Sequence, residues 1–194
     1  MKHLDMQMRV WSKRLIAELK IKEEDTHKLA TTIASEVRWL SKEAKAEIID
    51  VSPVDIKHRY DELLAFQSWM DIVHKSEKHP AVIRAQVIVQ NYICFVCLNE
   101  SCFNVLRKHV SSGSACKKCC NFFVNNPVRA FRNAIAHSNW CYKDDFSGIR
   151  YWAKKGADPD ELLNEFEVNQ EDISFWQSVA RCTAYAAYEN LNDL

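Results

Sequence analysis

Apolar residues recur along most of this chain at steps of three and four, the spacing that lays a single stripe along an α-helix. Leu4, Met8, Trp11, Leu15 and Leu19 form the first stripe and predict a helix to about Lys20. Leu29, Ile33, Val37, Leu40, Ala44 and Ile48 predict one second helix, capped by Asp25. It stops at Ser52-Pro53, because the residue before a proline avoids the helical region. Ile56, Tyr60, Leu63, Met70 and Val73, widened by Phe66 and Trp69, predict a third, followed by a break at 76–79. Pro80 suits a first helical position and opens a fourth helix to about Val110. That helix is apolar all round, which predicts the buried centre of a bundle.

Ser111-Ser112-Gly113-Ser114 is the clearest loop. A short helix over about 115–124 ends at Asn125-Asn126, and Pro127 opens the next, PVRAFRNAIAHSNW. From 140 to 169 the helical spacing fails. There 149–153 and 165–168 read as two short strands, or the stretch is an irregular insert. Asn169 and Asp172 have the spacing of a capping box, and Ile173, Trp176, Ala180, Thr183, Ala187 and Leu191 stripe a last helix. The expected fold is a single all-α domain over 1–194, a helical bundle of six to seven helices. It divides into N-terminal helices (1–75), central helices (80–140), a small irregular or two-stranded insert (141–169) and a C-terminal helix (170–192).

Composition narrows the class. A chain of 194 residues, 47 % hydrophobic, can bury a core without staples and is not disordered. Only 3 Gly and 4 Pro argue against a turn-rich all-β fold. The N-terminus, MKHLDMQMRVWSKRL, carries charge every few residues instead of an apolar signal core, and no run of 18 apolar residues exists. The expectation is a cytoplasmic protein with reduced thiols and no membrane partner. Eight cysteines then need an account. Cys94-x-x-Cys97 and Cys116-x-x-Cys119 have the spacing of a four-thiolate zinc site. Cys94 and Cys97, however, lie three apart in the apolar run YICFVCL, where cysteine packs as a small hydrophobe. Packing is the reading adopted, so no metal and no cofactor are expected.

The helix opened by Pro127 carries the strongest chemical signal. With Val128 at the origin and about 100° per residue, Val128, Phe131, Ala134, Ile135 and Ser138 share one face. Arg129, Asn133 and His137 fall at about 100°, 140° and 180°, opposite that face, with Arg132 at about 40° on its shoulder. Histidine exchanges protons near neutral pH, and arginine grips a phosphate with a fixed fork of donors. With no acid near in sequence to hold a hard metal, the set suits metal-independent attack on an RNA phosphodiester.

Arg132-Asn133-x3-His137, within RNAIAHSNW, resembles the R-x(4–6)-H motif of the HEPN superfamily, including the polar residue often found after the arginine. The resemblance implies an α-helical bundle and a metal-independent endoribonuclease of toxin or defence type. It implies that His137 is the acid/base, Arg132 the phosphate electrophile and Asn133 the orienting group, with a 2′,3′-cyclic phosphate product. It also implies a homodimer with a composite cleft, and an antitoxin or other regulatory partner. The roughly 140° between Arg132 and His137 agrees with that dimer, because one helix cannot easily aim both at one phosphate oxygen.

Charge bears on the RNA partner. The net charge is zero, from 26 basic and 26 acidic residues. Residues 101–143 nevertheless carry seven Lys and Arg and no acid, and residues 144–194 carry four basic and eleven acidic side chains. The acid-free block holds the motif helix and the expected phosphate contacts Arg129, Lys117 and Lys118. Folding could instead lay the acidic C-terminal part against it. Two other functions stand beside the nuclease: a non-catalytic HEPN-like nucleotide- or RNA-binding module, and a helical interaction protein whose zinc or cysteine cluster is structural.

Overall fold

The computed structural model describes residues 1–50, 61–62, 65, 68, 88–154 and 160–191. The expected third helix, the break at 76–79 and the start at Pro80 lie outside them, apart from residues 61, 62, 65 and 68, which are helical.

The first stripe folds as α1 (Lys2–Met8), a 3-10 turn (Arg9–Trp11) and α2 (Ser12–Leu19), which ends where Lys20 turns left-handed at φ 57°. The second stripe is not one helix. It divides into α3 (Glu23–Thr26), α4 (Leu29–Arg38) and α5 (Lys42–Asp50), broken at residues 39–41. There the Ser41 hydroxyl accepts from the Ala44 N–H at 3.1 Å, and such a cap competes with a continuous helix. Asp25 does not cap a long helix either: it lies inside α3 and accepts from the Thr32 hydroxyl at 3.2 Å. The start of α4 is capped from α1, where buried Asp5 accepts from the N–H groups of Ala30 (2.8 Å) and Thr31 (3.2 Å) and from the Thr31 hydroxyl.

The central helix α6 runs over 88–109, with π-helical stretches at Tyr92–Cys97 and Asn99–Phe103 before a last α-helical stretch, Asn104–His109. Cys94, Phe95, Leu98, Phe103 and Leu106 are fully buried. Ile88, Val89 and Tyr92 are 44 %, 39 % and 48 % exposed, so α6 is not buried all round. Next, α7 (Ala115–Val124) starts at Ser114, whose hydroxyl accepts from the Lys117 N–H at 3.1 Å. Glu36 of α4 adds a second cap, accepting from the Ala115 and Cys116 N–H groups at 2.8 and 2.7 Å.

The motif helix α8 (Val128–Ala136) is shorter than expected. Ser138 turns left-handed at φ 57° and donates to the Ile135 carbonyl, and Asn139 donates to that of Ala134 at 2.8 Å. This is a Schellman ending, and it sends the chain into a strand at Trp140. Three antiparallel strands follow in the order β1 (Trp140–Tyr142), β2 (Gly148–Ala153), β3 (Asn164–Asn169). The molecule is thus predominantly helical but not strictly all-α, and its insert has three strands rather than two. Strand β1, at three residues, is too short to show a period of two. Gly148 lies opposite Asn169 so closely that a Cβ would stand 2.1 Å from the Val168 carbonyl oxygen. The expected capping box then opens α9 (Gln170–Leu191): Asp172 N–H donates to Asn169 Oδ1 at 2.8 Å, and Asn169 N–H to Asp172 Oδ2 at 3.3 Å.

All six stripe residues of α9 are buried, and the helix packs along α4. Phe131 joins three layers. Its ring meets Phe95 of α6 at 5.7 Å, Tyr151 of β2 at 5.3 Å and Trp176 of α9 at 5.5 Å. Edge contacts of this kind prescribe orientation as well as burial. They set the rotation of α8, and with it the direction in which the motif residues point.

Candidate functional site

Val128, Phe131, Ala134 and Ile135 are buried, as their spacing predicts. Ser138, expected on the same face, is exposed, because the Schellman ending takes it off the helix. Ala130 is buried as well, so the core covers a wider arc of α8 than the apolar stripe alone. Asn133 and His137 remain exposed, and Arg129 and Arg132 are partly covered. His137 is the last helical-side residue before the turn, and its N–H donates to the Asn133 carbonyl at 3.1 Å. The spacing of four puts the two side chains on adjacent turns of one face.

Arg132 is the most constrained of the set. Its side chain is only 16 % exposed, and burial lowers its pKa. The Glu100 carboxylate opposes that shift and the charge of Arg129 adds to it. An arginine stays charged regardless, with five N–H donors to satisfy. Among the described residues the guanidinium makes one long hydrogen bond, Nη2 to Asn133 Oδ1 at 3.4 Å, and one loose ion contact, Nη1 to Glu100 Oε1 at 3.9 Å.

Sequence reasoning missed Glu100. It lies one residue before the acid-free block, and α6 carries it across to Arg132. The idea of an Arg–His pair with no carboxylate near is therefore corrected: one carboxylate stands at the guanidinium. Glu100 is itself held by its neighbour, with Asn99 Nδ2 donating to the same Oε1 at 3.0 Å. Asn99 is fully buried on a π-helical stretch of α6, and π-helical turns frequently occur at functional sites.

The other expected phosphate contacts are placed differently from one another. Arg129 donates to Asn126 Oδ1 at 3.3 Å and shares the neighbourhood of Arg132. Lys117 and Lys118 lie at the far end of α7, a helix about 15 Å long, from the corner where α8 begins. The Lys117 ammonium donates to the Arg107 carbonyl near the end of α6, and that of Lys118 to the Lys20 carbonyl, 2.7 Å away, at the end of α2. Both serve helix C-termini, where a cation is favourable. Of the aromatic residues in the acid-free block, Phe123 is fully buried and Phe122 packs on Phe175 and Trp176, whereas Trp140 is only partly covered.

The eight cysteines are free thiols. Cys94, Cys102, Cys116, Cys119, Cys120 and Cys182 are buried in the core, Cys97 is partly covered and Cys141 is exposed. Burial pushes the Cys94 thiol up to about 12 and raises Cys102, Cys119 and Cys182 as well. Among the described residues, no group of three or more His, Cys, Asp and Glu side chains is arranged to hold a metal ion. Nor is any described helix long and apolar enough to cross a membrane. No protein-family model, no curated protein and no solved structure matches the chain.

Proposed function

We propose that this protein is a HEPN-like, metal-independent endoribonuclease of toxin or defence type, acting through Arg132 and His137. The observation that supports it is the state of Arg132: a side chain only 16 % exposed that makes, among the described residues, one long hydrogen bond, on the same helix as exposed Asn133 and His137. A cation so placed is preorganised for the charge that develops on phosphoryl oxygens. In this reading a histidine takes the proton of an RNA 2′-hydroxyl, and the 2′-oxygen attacks the adjacent phosphorus. The P–O5′ bond breaks, the leaving oxygen is protonated, and the products are a 2′,3′-cyclic phosphate and a 5′-hydroxyl. Two copies of α8 across a two-fold axis supply one histidine for each proton transfer, which is why the active form is a homodimer.

The test is incubation of total RNA with wild type and His137→Ala in EDTA. Wild type cleaves despite the chelator. His137→Ala loses about 10²–10⁴-fold in rate, the usual contribution of a general acid or base. Equal cleavage by the mutant, or none by wild type, overturns the nuclease reading. The second reading, a non-catalytic HEPN-like binding module, is favoured by the carboxylate already beside Arg132. It expects RNA binding that His137→Ala leaves intact, with no cleavage by either protein.

A further inference from the structure

Three observations converge on Glu100. Its Oε1 faces Arg132 Nη1 at 3.9 Å, too far for an ordinary hydrogen bond. The same oxygen is tethered by Nδ2 of Asn99, a fully buried side chain whose own Oδ1 has no hydrogen-bond partner among the described residues. The Glu100 side chain is 69 % exposed while Arg132 is 16 % exposed, so the carboxylate sits on the solvent side of a sheltered cation. A contact that loose orients the guanidinium weakly. What it does is place negative charge beside the guanidinium, where a bound anion would have to compete with it.

We propose that Glu100 is the affinity-setting residue of an anion site on Arg132: its Oε1 stands in for a phosphate oxygen, and a phosphodiester binds by displacing it. The inference rests on the reading of Arg132 as a phosphate-binding group. An isolated anion gains only the Arg132 contact and must work against the carboxylate. A phosphodiester within a strand brings further contacts, to Arg129 and Asn133 on the same helix, which offset the displacement. The tether matters because a freely rotating glutamate would swing into water, whereas Asn99 keeps this one at the guanidinium.

The experiment measures binding of a fluorescein-labelled, fully 2′-O-methylated single-stranded RNA, which cannot form a cyclic phosphate. It is done at one fixed salt concentration with wild type, Glu100→Gln, Arg132→Ala and the double variant. Inorganic phosphate is titrated against the same four proteins by thermal shift. Glu100→Gln keeps the shape of an exposed side chain and is expected to tighten binding of both probes, by about twofold to fivefold for a single partly screened charge. The gain should vanish in the Arg132→Ala background, since the coupling runs through that guanidinium. Unchanged or weaker binding in Glu100→Gln, or a gain that survives Arg132→Ala, overturns the inference. Because neither probe is cleaved, the result is independent of catalysis. Tighter binding with no nuclease activity sinks the nuclease reading alone, and nuclease activity with no gain in Glu100→Gln sinks this inference alone.

Discussion

Arg132 and the cysteines show how much a side chain's chemistry depends on its cover. Arg132 is identical in sequence to any helical arginine, yet packing leaves its side chain only 16 % exposed, with one long hydrogen bond among the described residues. The cysteines differ from one another for the same reason. The thiolate is the reactive form, and burial disfavours it, as at Cys94, where the pKa rises to about 12. Cys141 alone among the eight is exposed. A thiol-reactive dye added to native protein should therefore label one site quickly, and Cys141→Ser should abolish that phase. Cys97, partly covered, is expected to follow more slowly, and the six buried thiols only after denaturation. Several fast thiols in native protein would contradict the packing of the core.

Elements here are terminated by residues from elsewhere in the chain as well as by their neighbours. The Asn169–Asp172 box and the Ser114 cap are local, and their spacing is visible in the sequence. Asp5 capping α4 and Glu36 capping α7 act across 25 and about 80 positions, and no local pattern reports them. Glu36 has its pKa raised, mainly by burial, although the two N–H donors pull it down. Asp5→Ala removes the acceptor for two backbone donors and a hydroxyl, and it should cost about 1–3 kcal/mol in urea unfolding. Asp5→Asn retains an oxygen acceptor and should cost less. Equal stability of wild type and Asp5→Ala would show that the cap contributes nothing.

On the scale of the whole molecule, the charge blocks of the sequence meet in part. Lys143, at the end of the acid-free block, pairs with Glu167 of β3 at 2.5 Å. Arg150 pairs with Glu165 at 3.0 Å and with Glu167 at 3.4 Å, so β3 places much of its acidity within the sheet. Arg14 of α2 holds Asp172 at 2.8 Å and stacks over Phe175, tying the start of α9 to the N-terminal helices. The acidic strand thus compensates its own sheet, and Arg132 answers to Glu100 instead. The proposed composite cleft makes a prediction at this scale. Cleavage per chain should fall as the protein is diluted through its dimer dissociation, followed in parallel by analytical ultracentrifugation. Full activity from a monomer would rule out a shared site.

Much of the helical architecture was legible in the sequence, because burying one face imposes a period that composition cannot hide. The stripes of the first and last helices, the loop at Ser111–Ser114, the short helix before Asn125 and two of the three strands are all written in local order. Asn133 and His137 are legible in the same way, on the face that the apolar stripe leaves over, with Arg132 on its shoulder. The break at residues 39–41, the early end of α8 and the short strand β1 were not. Each is decided by a few hydrogen bonds that a continuing apolar pattern does not record. Tertiary structure alone decided what Arg132 faces. Glu100 reaches it because α6 and α8 pack together through Phe95 and Phe131, a contact between segments more than thirty residues apart. Periodicity specifies which side of a helix is buried; only packing specifies which charge stands across from it.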